Sequence, residues 1–295
     1  MPPAEEKHET MRKNRPGQKS APFCFNRRTA AWVVISLIAL LIVTVAVAGL
    51  FMPPEAYAPD FANRHLAPSA DHLFGTDYLG RDMFARTIKG LSTSILIGTI
   101  AAGMAAVIAL ILGILAASTG GYADRAVTFL VDLSMSVPHM IQLMLIAFLF
   151  GKGLRGVIIG VALTHWPSLT RVVRAEVMQV RSANYVAAAA KLGTGRMRIA
   201  YRHILPHVLP QFLTGLVLLF PHAIMHEAGI TFLGFGLSVD TPAIGIILSE
   251  AQKHLATGNW WLVLFPGVLL MVVVMLFFRL GEYLQEMLNP ASAQL

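Results

Sequence analysis

Apolar residues run along this chain in long uninterrupted blocks, and the charged residues fall almost wholly between those blocks. A helix needs about 20 consecutive apolar residues to cross a bilayer, so blocks of this length predict membrane spans. The first covers 30–51 and the second 91–121, the latter long enough to tilt or to begin outside the hydrocarbon. A third covers 126–150 and is interrupted by Asp132 near one end. The fourth, 154–170, is the weakest, with Arg155 and Pro167 close to its ends. The fifth and sixth cover 208–236 and 254–278. Inside hydrocarbon every backbone polar group must be satisfied within the segment, which leaves helices as the form of all six. The expected fold class is all-α and integral to the membrane, with six transmembrane helices.

Composition agrees with the pattern. Of 295 residues, 56% are apolar and only 13% charged, with a mean hydropathy of +0.64. Soluble domains carry about 25% charged residues, so a water-facing surface is excluded. The net charge of +7 then orients the spans. With the N-terminus inside, segments 1–29, 119–125, 171–207 and 279–295 hold 16 Lys and Arg, against 7 in 52–90, 151–156 and 239–259. The excess belongs on the cytoplasmic side, which places both termini there. Nucleic-acid binding would need aromatics interleaved with a basic face, and 171–207 offers only Tyr185 and Tyr201. The single cysteine, Cys24, permits no intrachain disulfide. Ala46-Val47-Ala48 resembles a signal-peptidase site, but a 29-residue basic region and a 22-residue apolar run are both long for a signal peptide. The first span therefore reads as an uncleaved anchor. The chain divides into a basic cytoplasmic segment (1–29), the anchor (30–51), an outer loop (52–90), a five-helix core (91–290) and a short tail (291–295).

The cytoplasmic loop 171–207 is the most informative. Ala187 to Ala190 are strong helix formers, Gly193 follows as a helix stop, and Pro206 lacks the N–H that a helix interior requires. The pattern predicts a short helix lying across the cytoplasmic face. By spacing alone, a plain connection and a docking element explain it equally well. Ala188-Ala189, then Gly193, then Ile204-Leu205-Pro206 resemble the "EAA" loop of bacterial ABC importer permeases. The family's leading Glu would fall at Ala187, so the chain departs from the pattern there. The run His72-Leu-Phe-Gly75-Thr76-Asp77-Tyr-Leu-Gly80-Arg81-Asp82 resembles the outer segment of the dipeptide, oligopeptide and nickel branch. Thr231-Phe232-Leu233-Gly234-Phe235-Gly236-Leu237 and Phe265-Pro266-Gly267 extend the likeness to the last two spans.

The resemblance implies a pore-forming permease in a bacterial inner membrane, paired with a second permease as a heterodimer. Two cytoplasmic ATPases would drive it and an extracytoplasmic binding protein would deliver cargo. Ala187, Ala188, Ala189, Gly193, Leu205 and Pro206 would then couple the chain to an ATPase. The chain has no G-x-x-x-x-G-K-[ST] loop, so it cannot bind ATP phosphates by the P-loop route, and the resemblance implies that ATP is bound by the partner subunits and no cofactor by this chain.

Polar residues inside spans address the cargo. His222 and His226 lie four apart and share a helix face, with Met225 and Glu227 beside His226. Two such histidines can reach one divalent transition ion; interhelical hydrogen bonding explains the same pair. The segment from His222 to Gly234 resembles the nickel-type members, which carry His-x-x-x-His before Phe-Leu-Gly, and His165-Trp166 resembles them too. That implies nickel, a related metal or a metal chelate, with His165, His222, Met225, His226 and Glu227 along the pathway. His222 and His226 would act as transient metal ligands. Peptide is the rival cargo. Asp132 resembles a family position suited to packing or gating. The histidines His139, His203 and His207, with Met135, Met140 and Met144, read as packing or interface residues. Asp77, Arg81 and Asp82 suggest a local salt-bridged cap on the outer loop. An intramembrane metalloprotease needs His-Glu-x-x-His or its inverse, and Glu227 follows the second histidine instead. A stand-alone secondary transporter would show two related halves, and none is visible.

Overall fold

The computed structural model describes residues 27–288, with the side chains of 27–30, 190, 196 and 197 outside the description. Most of the basic N-terminal segment, Cys24 and the 291–295 tail therefore lie outside the described residues. Five apolar blocks form continuous helices: α1 (Arg27–Leu50), α2 (Met83–Thr119), α5 (Leu154–Arg181), α8 (Leu205–Phe232) and α10 (Trp261–Leu288). The third block breaks in two, α3 (Gly121–Ser136) and α4 (His139–Leu149), which meet at 98°. Pro138 causes the break: it lacks an N–H and pushes the residue before it out of helical space, and Val137 is extended at φ −91° and ψ 135°. Counting the bent pair as one span gives six.

Other elements differ from the sequence expectation as well: α5 continues to Arg181, into the expected loop 171–207, and α10 covers Trp261–Leu288 rather than 254–278. Helix α2 begins eight residues before the apolar block at 91. Its start is fixed by Asp82, whose carboxylate accepts the Ala85 N–H at 2.9 Å as an N-cap. Residues 239–259, expected as loop, contain a short buried helix α9 (Ile244–Gln252). Between α5 and α8 lie two short helices, α6 (Asn184–Lys191) and α7 (Arg196–Ile199), and a π-helical turn, Ala200–Ile204.

The core follows from small residues at a four-residue spacing. Ala101, Ala105, Ala109, Gly113 and Ala117 line one side of α2 and are all buried. Facing them, α5 presents Val157, Val161, His165, Leu169, Val173 and Val177, also four apart and buried. A methyl placed on Gly113 would press on Val173. Lipid tails are as apolar as these side chains, so close backbone approach and dispersion hold the pair together. His165 thus takes a slot in the packing stripe of α5, which turns it into the bundle.

Candidate functional site

Three histidines from three helices converge inside this bundle. His139 opens α4 directly after the Pro138 break, His165 sits mid-way along α5, and His226 lies on α8. Their rings pack at centroid separations of 4.7 Å (His139–His165), 4.3 Å (His139–His226) and 5.0 Å (His165–His226). One nitrogen from each lies within 4.8 Å of the other two. Ligands of a tetrahedral ion with metal–nitrogen bonds of about 2.0–2.1 Å stand about 3.3 Å apart, so a small inward shift closes the set.

The hydrogen bonds fix the tautomers of two of the three rings. His165 Nδ1 lies 2.8 Å from the Val161 carbonyl and His226 Nδ1 lies 2.7 Å from the His222 carbonyl. A carbonyl only accepts, so both Nδ1 atoms carry the proton and both Nε2 atoms are left as acceptors. The His226 Nδ1–H also donates toward His165 Nε2 at 3.3 Å, so that lone pair is engaged within the cluster and an incoming ion has to displace this contact. His139 Nδ1 is buried with no partner at all. Histidines that hold metals use the second ring nitrogen in the same way, donating to a backbone carbonyl.

The cluster opens into a cavity of about 560 Å³. Its wall carries hydroxyls and an amide (Ser134, Ser136, Ser168, Gln142) and neither a carboxylate nor a Lys or Arg. Gln142 Nε2 donates to Ser134 Oγ at 3.0 Å and so braces the bend between α3 and α4. Polar groups at membrane depth belong to a bundle interior or an aqueous path, because lipid exposure is costly.

The pathway candidates separate in this geometry. His165 and His226 belong to the cluster, and His222 lines the same cavity one turn away. Met225 is 49% exposed on the outside of the bundle. Glu227 is fully buried on another face of α8, accepts a hydrogen bond from Thr231 at 3.1 Å, and does not line the cavity. Asp132 pairs with Arg171 at 2.7 Å, with both side chains more than half exposed. His139, assigned to packing by its sequence context, is the member the sequence reading missed. The only signal for it was a histidine directly after a proline that ends a helix.

In the 171–207 loop, Val186, Ile199 and Ile204 anchor the short helices to the core, while Ala187, Ala188, Tyr185 and Leu192 face outward. Leu192 is 86% exposed. Leu205 and Pro206 form the first turn of α8, where a missing N–H is tolerated.

On the opposite side of the bundle, the expected cap is a larger network. Arg81 and Arg86 bridge Asp77 and Glu250 through contacts of 2.5–3.1 Å, all four side chains at most 13% exposed. Burial works against the Arg81 charge, and the neighbouring Asp77 and Glu250 more than offset it, so its pKa stands above the ordinary value. Asp82 is separate: it caps α2 and meets His72 Nδ1 at 2.8 Å.

Comparison with known proteins accounts for this architecture. The family model for the binding-protein-dependent transport system inner membrane component matches residues 94–290. The dipeptide permease DppC of Bacillus subtilis is 32% identical over 86% of this chain and 79% of its own length. The oligopeptide permease OppC of the same organism is 32% identical over 92% and 89%. The nickel permease NikC of Escherichia coli is 32% identical over 91% and 96%. These equal identities do not separate the cargoes. Among solved structures, the inward-facing MetNI methionine ABC transporter superposes with a TM-score of 0.59 at 19% identity, covering 70% of this chain and 98% of that one, which shows a shared fold. The chain belongs to the dipeptide, oligopeptide and nickel branch of the binding-protein-dependent inner-membrane permeases, and is a multi-pass transport subunit of an ABC importer rather than an enzyme.

Proposed function

We propose that this permease carries a divalent transition metal, nickel or a related ion, free or as a small chelate. One observation carries the reading: His139, His165 and His226 converge inside the bundle with a nitrogen of each within 4.8 Å of the others and no carboxylate on the wall of the cavity they open into. Neutral imidazoles suit a borderline-soft ion. Three ligands at an open wall hold such an ion only in passing, as conduction requires. In this reading Met225 and Glu227 support α8 from outside the path. The chain pairs with a second permease as a heterodimer that covers the open wall of the cavity. Two ATPases bind ATP and push on α6 and its flanking residues, Ala187–Gly193 and Leu205-Pro206. A binding protein delivers cargo at the Asp77–Glu250 side, and both termini lie in the cytoplasm, as the basic residues favour.

Peptide cargo has its own support, since a cavity of about 560 Å³ accommodates a dipeptide and two of the relatives are peptide permeases. Uptake by intact cells separates the two. We expect His139→Ala, His165→Ala and His226→Ala each to reduce ⁶³Ni²⁺ uptake about tenfold or more at unchanged protein level, with excess dipeptide leaving wild-type uptake intact. Normal nickel uptake in all three variants, with dipeptide uptake lost, would overturn the metal reading.

A further inference from the structure

The sequence pairs His222 with His226 as metal ligands, yet the structure separates them. His226 is a member of the three-histidine cluster and His222 is not. The His222 ring sits edge-on to Phe278 of α10 at 5.5 Å, exposed on the cavity wall. One helical turn, about 6 Å along the axis, divides the two residues.

The direction of that turn carries the argument. Helix α8 starts at the α6–α7 module, so His222 lies nearer to the module than His226 does. Helix α5 ends at the same module, so Ser168 lies nearer to it than His165. Helix α3 starts near that end of the bundle, where Asp124 in its first turn pairs with Arg174 of α5 at 2.5 Å. Ser134 and Ser136 therefore precede His139 on the same side. Three elements thus set a second polar tier beneath the cluster, made of one histidine and three hydroxyls, all of them on the wall of one cavity. Prolines mark the tier as well. Pro167 precedes Ser168 and Pro221 precedes His222, and each removes a helix hydrogen bond and loosens that turn.

Resting on the metal reading, we infer that His222 is a hand-off ligand, the first donor a metal ion meets on leaving the cluster toward the α6–α7 module. The step is ligand exchange. A metal–nitrogen bond to His226 breaks as one to a His222 nitrogen forms, with the hydroxyls of the tier or water filling the remaining positions. No electron is transferred and no proton has to move, because both imidazoles stay neutral.

The test uses the assembled importer, with its second permease and ATPases, in nanodiscs for binding and in proteoliposomes for ATP-driven transport, and ⁶³Ni²⁺ as the probe. His226→Ala is expected to weaken Ni²⁺ binding about tenfold or more. His222→Ala is expected to leave binding within about threefold of the unaltered complex, while slowing transport about tenfold or more. His222→Cys, which restores a donor, should recover much of the rate, and His222→Leu should not. Equal loss of binding in His222→Ala and His226→Ala would show a single site and overturn the hand-off while leaving the metal reading standing. So would full-rate transport by His222→Leu. An unaltered complex that binds no Ni²⁺ would remove the metal reading, and the hand-off with it.

Discussion

Gly193 ends α6 with φ at +80°, a conformation in which a Cβ is strained. The Thr194 N–H reaches back to the Ala189 carbonyl at 3.1 Å, the six-to-one bond of a Schellman stop. A side chain added here meets nothing within 4 Å, so it would project from the exposed turn toward whatever docks on α6. Two effects can therefore be told apart. Gly193→Ala adds backbone strain of about 1–2 kcal/mol with little bulk, Gly193→Asn adds less strain because Asn tolerates this region, and Gly193→Leu adds bulk as well. We expect coupled ATPase activity and uptake to be nearly normal for Asn, reduced for Ala and lowest for Leu, at equal complex assembly. Wild-type uptake in Gly193→Leu would rule out docking at this turn. At this scale the glycine stop was legible because it is local, whereas the His-x-x-x-His pair was legible only in part: His226 joins the cluster and His222 does not. His139 was not legible because its partners lie 26 and 87 residues away, and only the bend at Pro138 brings them together.

The elements were legible where apolar runs were long and hidden where they were short. All six blocks became helical, yet the break in the third follows from one proline whose 98° consequence no periodicity reveals. Helix α9 is too short to register as a span. It is held instead by contacts distant in sequence: Ser94 Oγ receives the Ile244 N–H at 3.3 Å, and Glu250 at the other end enters the arginine network, 164 residues from Arg86. That network has two positive and two negative charges, nearly dry, and Glu250 Oε1 is left without a partner. Removing one member strands a buried charge, at about 3–5 kcal/mol. Arg86→Met and Glu250→Leu should each lower the thermal midpoint of the purified complex substantially. Together they leave Arg81 paired with Asp77 and no stranded charge, so the double variant should lose less than the two single losses added. Strict additivity would show that the four residues do not act as one unit.

For the molecule as a whole, the connection of chain to site matters most. Helix α5, the α6–α7 module and α8 are one continuous stretch of chain, and the two long helices carry His165 and His226 on either side of the module. His139 arrives separately on α4. In the proposed metal importer, a push on α6 by an ATPase would reach two of the three histidines, through turns loosened by Pro167, Pro210 and Pro221. The cluster has ligand atoms up to 4.8 Å apart, so a movement of about 1 Å suffices to close it or to disperse it. If nucleotide state changes metal affinity through the module, linkage requires metal to shift the nucleotide equilibrium by the same factor. We expect complexes saturated with a non-hydrolysable ATP analogue and nucleotide-free complexes to differ about tenfold or more in Ni²⁺ affinity, with a matching Ni²⁺ dependence of analogue binding. Substituting His139 should weaken metal binding in both states. Substituting Pro167 and Pro221 by Ala should shrink the difference between states while leaving one of them able to bind, because stiffened helices carry the cluster as a rigid unit. Equal affinities in the two nucleotide states would separate the cluster from the drive, and would leave the three histidines as a static feature of the bundle.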